Sequence, residues 1–243
     1  MGTSDARLQL LGGFRLLSDG TPVAVPETAA KLLALLAIQE WPLTRSRIAG
    51  EFWPEKSEGR ASANLRSTVW RLPSSTRHFL SHNGSTMAIA EFVEVDVHEA
   101  RDVVRDLLHG EGPRGASSVE VDMLSRPLLP EWDDDWLTYE RERTRQLHIH
   151  ALESLGHTLL ASGDALGAVD LSIRVVGMEP LRESAHVLLM SAYLACGNRA
   201  DARRSHDRYR ELMRDELGLD PAVDWDELMA SSTVRPPART ATG

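Results

Sequence analysis

The sequence predicts an α+β N-terminal part followed by an all-α part, and three observations predict it. Short apolar runs broken by Gly12-Gly13, Asp19-Gly20 and Asn83-Gly84 fill the first part of the chain. Asp-Gly or Asn-Gly between apolar runs is a hairpin signal. From about residue 97 onward the pattern is helical throughout. Charge changes at nearly the same place: residues 1–92 hold ten Lys/Arg and eight Asp/Glu, net +2, whereas 93–243 hold seventeen and twenty-eight, net −11. That asymmetry implies two domains with different partners.

Taken in order, Arg7–Pro26 gives three short antiparallel strands, near 7–11, 14–17 and 22–25. Glu27–Glu40 is rich in strong helix formers and apolar on more than one face, which predicts a buried helix stopped by Trp41-Pro42. Thr44 is placed to cap a second helix, 44–52, and Ser57 a third, from 58 to 72, which Pro73 ends. A second hairpin follows, near 78–81 and 86–90, with Asn83-Gly84 at its turn. Two helices joined by a short turn and followed by a β-hairpin are the layout of a winged helix-turn-helix.

The remaining helices fall at 97–109, 117–124, 133–161, 165–177, 182–196 and 199–217. "LASGDALGA" (160–168) and "LACGNRADA" (194–202) align with an offset of 34 residues, the period of tetratricopeptide repeats. Gly156, Ala168 and Pro180 fall at the small, small and proline positions of that pattern, although the second copy has Met190 and Arg214 where the first has Gly156 and Pro180. The predicted fold is therefore an α+β N-terminal winged helix-turn-helix followed by an all-α tetratricopeptide-like helical domain. Its parts are 1–95, 96–225 and a disordered polar tail, 226–243.

The third helix, "GRASANLRSTVWRL", stands out. On a wheel at 100° per residue, Ala61, Leu65, Thr68, Val69 and Leu72 share one side. Arg60, Ala63, Ser67, Trp70 and Arg71 share the other, flanked by Asn64 and Arg66. After Glu58 the helix holds no acid through Leu72. A solvated helix face ordinarily carries glutamates that pair with its arginines. A major groove admits a helix of this kind, where Arg bonds guanine and Asn adenine bidentately. Trp70, opposite the core face, needs a cover, and three are open: the wing, DNA sugars or a partner protein. Arg45 and Arg47, in the first turn of the second helix, suit phosphate contacts.

Other chemistry is weaker. The single cysteine, Cys196, excludes an internal disulfide, fits a reducing compartment and is expected to be a small buried hydrophobe among Leu194, Ala195 and Gly197. No apolar run reaches the ~18 residues of a spanning helix, and the N-terminus carries no secretion signal. "EWDDDW" (131–136) reads as an acidic helix start, not a calcium loop. His148, His150 and His157 lack a further zinc ligand. "GGF" and "SGDALG" are not dinucleotide fingerprints. No enzyme, catalytic residue, metal or cofactor is expected.

In order, "GGFRL", "KLLALLA", "FWPE", "GRASANLRSTVWRL", "VEVDVHEA", "LLPEWDDDW", "RERTRQLHIHALESL", "EPLRESAH" and "RDELGLDP" resemble the Streptomyces antibiotic regulatory protein family, across about Leu8–Pro221. The resemblance implies an OmpR-type winged-helix domain, the kind found in two-component effectors, followed by a bacterial transcriptional activation domain built like tetratricopeptide repeats. It implies an activator of antibiotic or other secondary-metabolite genes that binds direct repeats overlapping the −35 region and recruits RNA polymerase. Arg60, Asn64, Arg66, Ser67, Trp70 and Arg71 would then lie on the recognition helix. The partners implied are double-stranded DNA, polymerase (sigma and other subunits) and a second copy as a homodimer on DNA, in the cytoplasm at the nucleoid, with no membrane. Larger members append an ATPase domain. This sequence has no GxxxxGK[ST] loop and resembles the small form, or a piece of a larger regulator. It departs at "PSS" (73–75), where the family's recognition helix continues with basic residues, so lower DNA affinity is expected. A helical-repeat adaptor or ligand-binding regulator, working chiefly through protein contacts, is the alternative reading.

Overall fold

The computed structural model describes residues 6–39, 41–109 and 116–232. Its strands are β1 (Ala6–Gln9), β2 (Arg15–Ser18), β3 (Thr21–Pro22), β4 (Leu43–Thr44), β5 (Leu80–Asn83), β6 (Thr86–Ile89) and β7 (Val93–Val95). Its helices are α1 (Glu27–Ile38), α2 (Arg45–Phe52), α3 (Glu58–Arg71), α4 (Asp96–His109), α5 (Ser118–Leu124), α6 (Asp135–Ser162), α7 (Ala165–Met178), α8 (Glu183–Ala195), α9 (Arg199–Leu217) and α10 (Trp225–Ser232). None of the described helices is long and apolar enough to cross a membrane.

The chain folds into two compact units and visits each twice: Met1–Val103 with Arg126–Gln146, and Val104–Ser125 with Leu147–Gly243. Where the sequence suggests a seam at 95/96, the first unit runs on to Val103 and takes in a distant segment.

In the first unit one sheet has the order β3-β2-β1-β7, the other β4-β6-β5. Asp19 and Gly20 both have positive φ in a two-residue loop between Ser18 and Thr21, the I′ geometry that matches strand twist. The second hairpin is shifted by one residue from expectation. Asn83 pairs with Thr86, so its loop is Gly84-Ser85, with positive φ only at Gly84, as in a II′ turn. Helix α1 buries Ala29, Ala30 and Leu32 through Ile38 and packs on α3 and β6.

Two strands escaped the sequence. β4 pairs with β6 across only two residues, and β7 lies parallel to β1. The β7–α4 junction is the unit's latch. The Leu10 and Leu11 N–H groups donate to the Asp96 carboxylate at 2.9 Å each. His98 Nε2 lies 2.7 Å from the Ala37 carbonyl, and Arg101 donates to that of Ile38 at 2.7 Å, so the end of α1 is satisfied by α4. Burial pushes the Asp96 carboxyl above its ordinary value, against the lowering pull of the backbone N–H groups of Leu11, Leu10 and Val97. Asp96→Ala strips two buried N–H donors of their acceptor. It is expected to cost about 1–3 kcal/mol in urea denaturation, with Asp96→Asn recovering part of that loss.

The segment 126–134 docks on the same strands. Gly12 N–H donates to the Pro127 carbonyl at 2.7 Å, Leu129 N–H to that of Leu10 at 2.9 Å, and the Phe14 and Trp132 rings stack at 5.6 Å. Lys31 pairs with Asp134 at 3.1 Å. Leu129 is buried with φ +41°, a left-handed backbone unusual for a branched side chain. Arg141 holds that loop by donating to the Leu128, Leu129 and Trp132 carbonyls. "EWDDDW" is thus mostly a docking segment, with α6 starting only at its third aspartate, Asp135.

In the second unit the 34-residue repeat is one turn built twice. Gly163 and Gly197 both have positive φ at a helix end, and Asp164 and Asn198 cap α7 and α9 by accepting from Gly167 and Asp201 N–H. Ala168 and Ala202 are both fully buried, and α8 packs on both α7 and α9. "EPLRESAH" gathers the tertiary hydrogen bonds: Pro180 carbonyl to His186, Leu181 carbonyl to the Tyr209 hydroxyl, Arg182 and Ser184 to Glu153.

Two expectations are corrected here. Residues 225–232 form α10, with Trp225 between His206 and Arg203, so the disordered tail does not begin at 226; residues 233–243 lie outside the described residues. Cys196 is exposed, because it sits at the C-cap of α8 in the turn toward α9 and not on the helix's packed face.

Candidate nucleic-acid interface

Helix α2 starts where Thr44 stops being strand. Its hydroxyl accepts the Arg47 N–H at 3.3 Å, the N-cap bond expected. The Arg45 N–H donates to the Ser85 carbonyl at 2.8 Å, which ties the start of α2 to the β5–β6 turn. Ser57 occupies the N-cap of α3, but its side chain makes no capping bond, which differs from the role the sequence suggests.

On α3 the faces fall largely as the wheel predicts, although Val69 on the core side is only half-buried. Ala61, Leu65, Thr68 and Leu72 are buried. Thr68 is accommodated because its hydroxyl donates to the Asn64 carbonyl at 3.0 Å. Arg60, Arg66, Ser67, Trp70 and Arg71 are exposed, while Ala63 and Asn64 are half-buried on the flank. Arg47 is exposed and Arg45 half-buried at the start of α2.

The arginines of this surface lack internal ion pairs. Among the described residues, Arg45, Arg47, Arg60, Arg66 and Arg71 form no ion pair with any carboxylate. Several arginines elsewhere do pair along their own helices: Arg145 with Glu142 at 2.9 Å, Arg203 with Asp207 at 3.1 Å, Arg174 with Asp170 at 3.3 Å. An exposed face of unpaired guanidiniums can bond carboxylate or phosphate oxygens and base edges without first breaking an internal bridge. Arg47 also edges a small cleft with Leu35, Trp136, Glu51 and Glu140, so two carboxylates share its surroundings.

Trp70 is 72 % exposed, so the hairpin does not cover it. Among the described residues its ring contact is the Arg77 guanidinium, 6.0 Å from the ring centre. Arg77 folds back on the end of α3, donating to the Trp70 carbonyl at 2.5 Å and to that of Leu72 at 3.1 Å. Arg77 is not among the site residues the sequence predicts. Its signal was positional: a cation shortly after a helix-stopping Pro73 can return to the orphan carbonyls. His78 stacks on Phe92 at 5.6 Å and serves the hairpin's base.

The histidines on α6 do not converge. His148 is buried against the α5 end and held neutral, with burial lowering its pKa to about 4, whereas His150 and His157 are exposed. Among the described residues no group of three His, Cys, Asp or Glu side chains is placed to hold a metal ion.

Residues 121–231 match the bacterial transcriptional activator domain. The chain is 28% identical to the regulatory protein AfsR of Streptomyces griseus over 244 residues, covering 93% of this chain and 24% of AfsR. It is equally 28% identical to AfsR of Streptomyces coelicolor, covering 91% of this chain and 24% of that relative. It therefore spans about a quarter of the length of these regulators. Its fold is similar to that of Mycobacterium tuberculosis EmbR, solved in complex with a low affinity phosphopeptide, with a TM-score of 0.72 over 94% of this chain and 65% of that one at 20% identity. The activator-domain match and the likeness to AfsR along nearly the whole chain support the resemblance to the Streptomyces antibiotic regulatory protein family that the ordered motifs carry.

Proposed function

We propose that this chain is a sequence-specific DNA-binding transcriptional activator in which α2, α3 and the β5–β6 hairpin act as an OmpR-type winged helix-turn-helix. The observation that carries this reading is the acid-free face of α3, where Arg60, Arg66 and Arg71 have no internal ion-pair partner among the described residues. Arg60, Asn64, Arg66, Ser67, Trp70 and Arg71 face the major groove, and Arg45 and Arg47 meet phosphates at the start of α2. The net −11 of residues 93–243 is repelled by phosphate. That half therefore suits contact with RNA polymerase or a second subunit, as its match to an activator domain supports. A homodimer on direct repeats near a −35 element, acting on secondary-metabolite genes at the nucleoid, completes the proposal. A footprint with two equally spaced half-sites in the same orientation supports it, and an inverted pair contradicts it.

Base readout is tested by substitution. Asn64→Ala and Arg71→Ala are each expected to weaken binding to a selected duplex by about 1–3 kcal/mol and to relax preference at one position. Wild-type affinity in both variants, with helical circular dichroism unchanged, contradicts base reading by α3.

A further inference from the structure

The geometry points to Trp70 as an apolar reader of thymine methyl groups, with Arg77 as the residue that positions it. This rests on the DNA-binding reading above. On the wheel the line opposite the α3 core runs through Ala63, Ser67 and Trp70. Ala63 is half-buried, so Ser67 and Trp70, one small residue and one large ring, form the exposed part of that line. The ring is exposed and no other aromatic touches it among the described residues. Arginines flank it at Arg66, one turn before, and at Arg71. Their positive charge draws a polyanion to this face, so the occupant that fits the indole is the groove of a duplex and not an acid-poor protein surface. Inside a major groove the one apolar group a base pair offers is the C5-methyl of thymine.

An exposed tryptophan is a poor reader if it swings between rotamers, because each contact must overcome the entropy of ordering the ring. Arg77 removes that freedom. Its Nε and one Nη2 hydrogen are held by the Leu72 and Trp70 carbonyls, which fixes the guanidinium plane against the end of α3. The indole then lies against a fixed cation, 6.0 Å from the ring centre, leaving its other face open. The same placement puts positive charge at the negative end of the α3 dipole, where Pro73-Ser74-Ser75 supplies none.

Duplexes bound by the intact chain are first selected from a random-sequence pool. They are then remade with deoxyuridine for thymine, which deletes the methyl and leaves every hydrogen-bonding group in place. Wild type is expected to lose about fourfold in affinity for each methyl contacted. Trp70→Ala is expected to bind both duplexes alike. Arg77→Lys keeps a cation at the helix end but not the planar fork. It is expected to keep the salt dependence of binding and to lose most of the methyl effect. Equal methyl losses in wild type and Trp70→Ala, or none in wild type, overturn the assignment of Trp70. A full methyl effect in Arg77→Lys, or in Arg77→Gln if the lysine re-forms the contacts, overturns the positioning role. No salt-sensitive binding to any duplex in the pool overturns the DNA-binding reading itself, a different outcome from either.

Discussion

A fragment ending at residue 95 is expected not to fold to the state its sequence adopts in the intact chain. The two sheets look self-sufficient by chain order, but their compact unit includes Asp96–Val103 and Arg126–Gln146. Removing these strips the unit of buried Val97, Leu128, Leu129 and Leu137, at about 1.5–3 kcal/mol for each side chain. The fragment also lacks Asp96, which holds the Leu10 and Leu11 N–H groups, and Trp132, which stacks on Phe14. The summed loss is comparable to the roughly 5–15 kcal/mol by which a domain is stable. Circular dichroism melting is expected to give a broad, non-cooperative transition for 1–95 and a cooperative one for 1–146, which contains the whole first unit. A cooperative melt of 1–95 with full duplex affinity contradicts the docking of 126–146 as a structural requirement.

Arg182→Ala is expected to cost about 3–5 kcal/mol, the largest effect of a single substitution, because it leaves a buried carboxylate without its counter-charge. Glu153 is 7% exposed and accepts two bonds from Arg182, at 2.9 and 2.8 Å, and one from the Ser184 hydroxyl at 2.6 Å. Burial alone would raise the Glu153 carboxyl. The Arg182 and Ser184 donors outweigh it and hold the group below its ordinary value of 4.5. The native pair therefore adds stability that is fully present above about pH 4.5 and is lost as pH falls through the depressed native pKa. In Arg182→Ala burial dominates and the carboxyl rises, so protonation relieves the variant. Urea denaturation of both proteins at pH 7 and pH 4 is expected to give a gap that narrows at the lower pH. A gap below 1 kcal/mol at pH 7, or one equal at both values, contradicts a buried, charge-balanced pair.

What the sequence made legible was whatever repeats locally. The two faces of α3 follow from a 3.6-residue period, and the 34-residue repeat marks a turn whose glycine and cap recur. What stayed hidden depends on partners distant in sequence. β7 is three residues long and pairs in parallel with β1, far back in the chain, so no local alternation betrays it. The union of Arg126–Gln146 with the sheets is likewise non-local. Cys196 misled because apolar neighbours suggest burial, whereas its place at a helix end decides exposure. In the candidate site, the arginines were legible by composition. Arg77 was not, since its role lies in reaching back across Pro73 to carbonyls that the sequence does not mark as unsatisfied.

The central claim is that the arginines of α3 bind duplex DNA, and its most direct test is the salt dependence of that binding. The affinity of the intact chain for a selected duplex, measured between about 50 and 200 mM salt, should fall with a log–log slope of about 0.9 for each phosphate neutralised. Contacts from Arg45, Arg47 and the α3 arginines predict a slope of about −3 to −5 per subunit. The combined Arg60→Ala, Arg66→Ala, Arg71→Ala variant, folded by circular dichroism, is expected to bind far more weakly and with a shallower slope. The same affinity and slope in that variant would contradict the account.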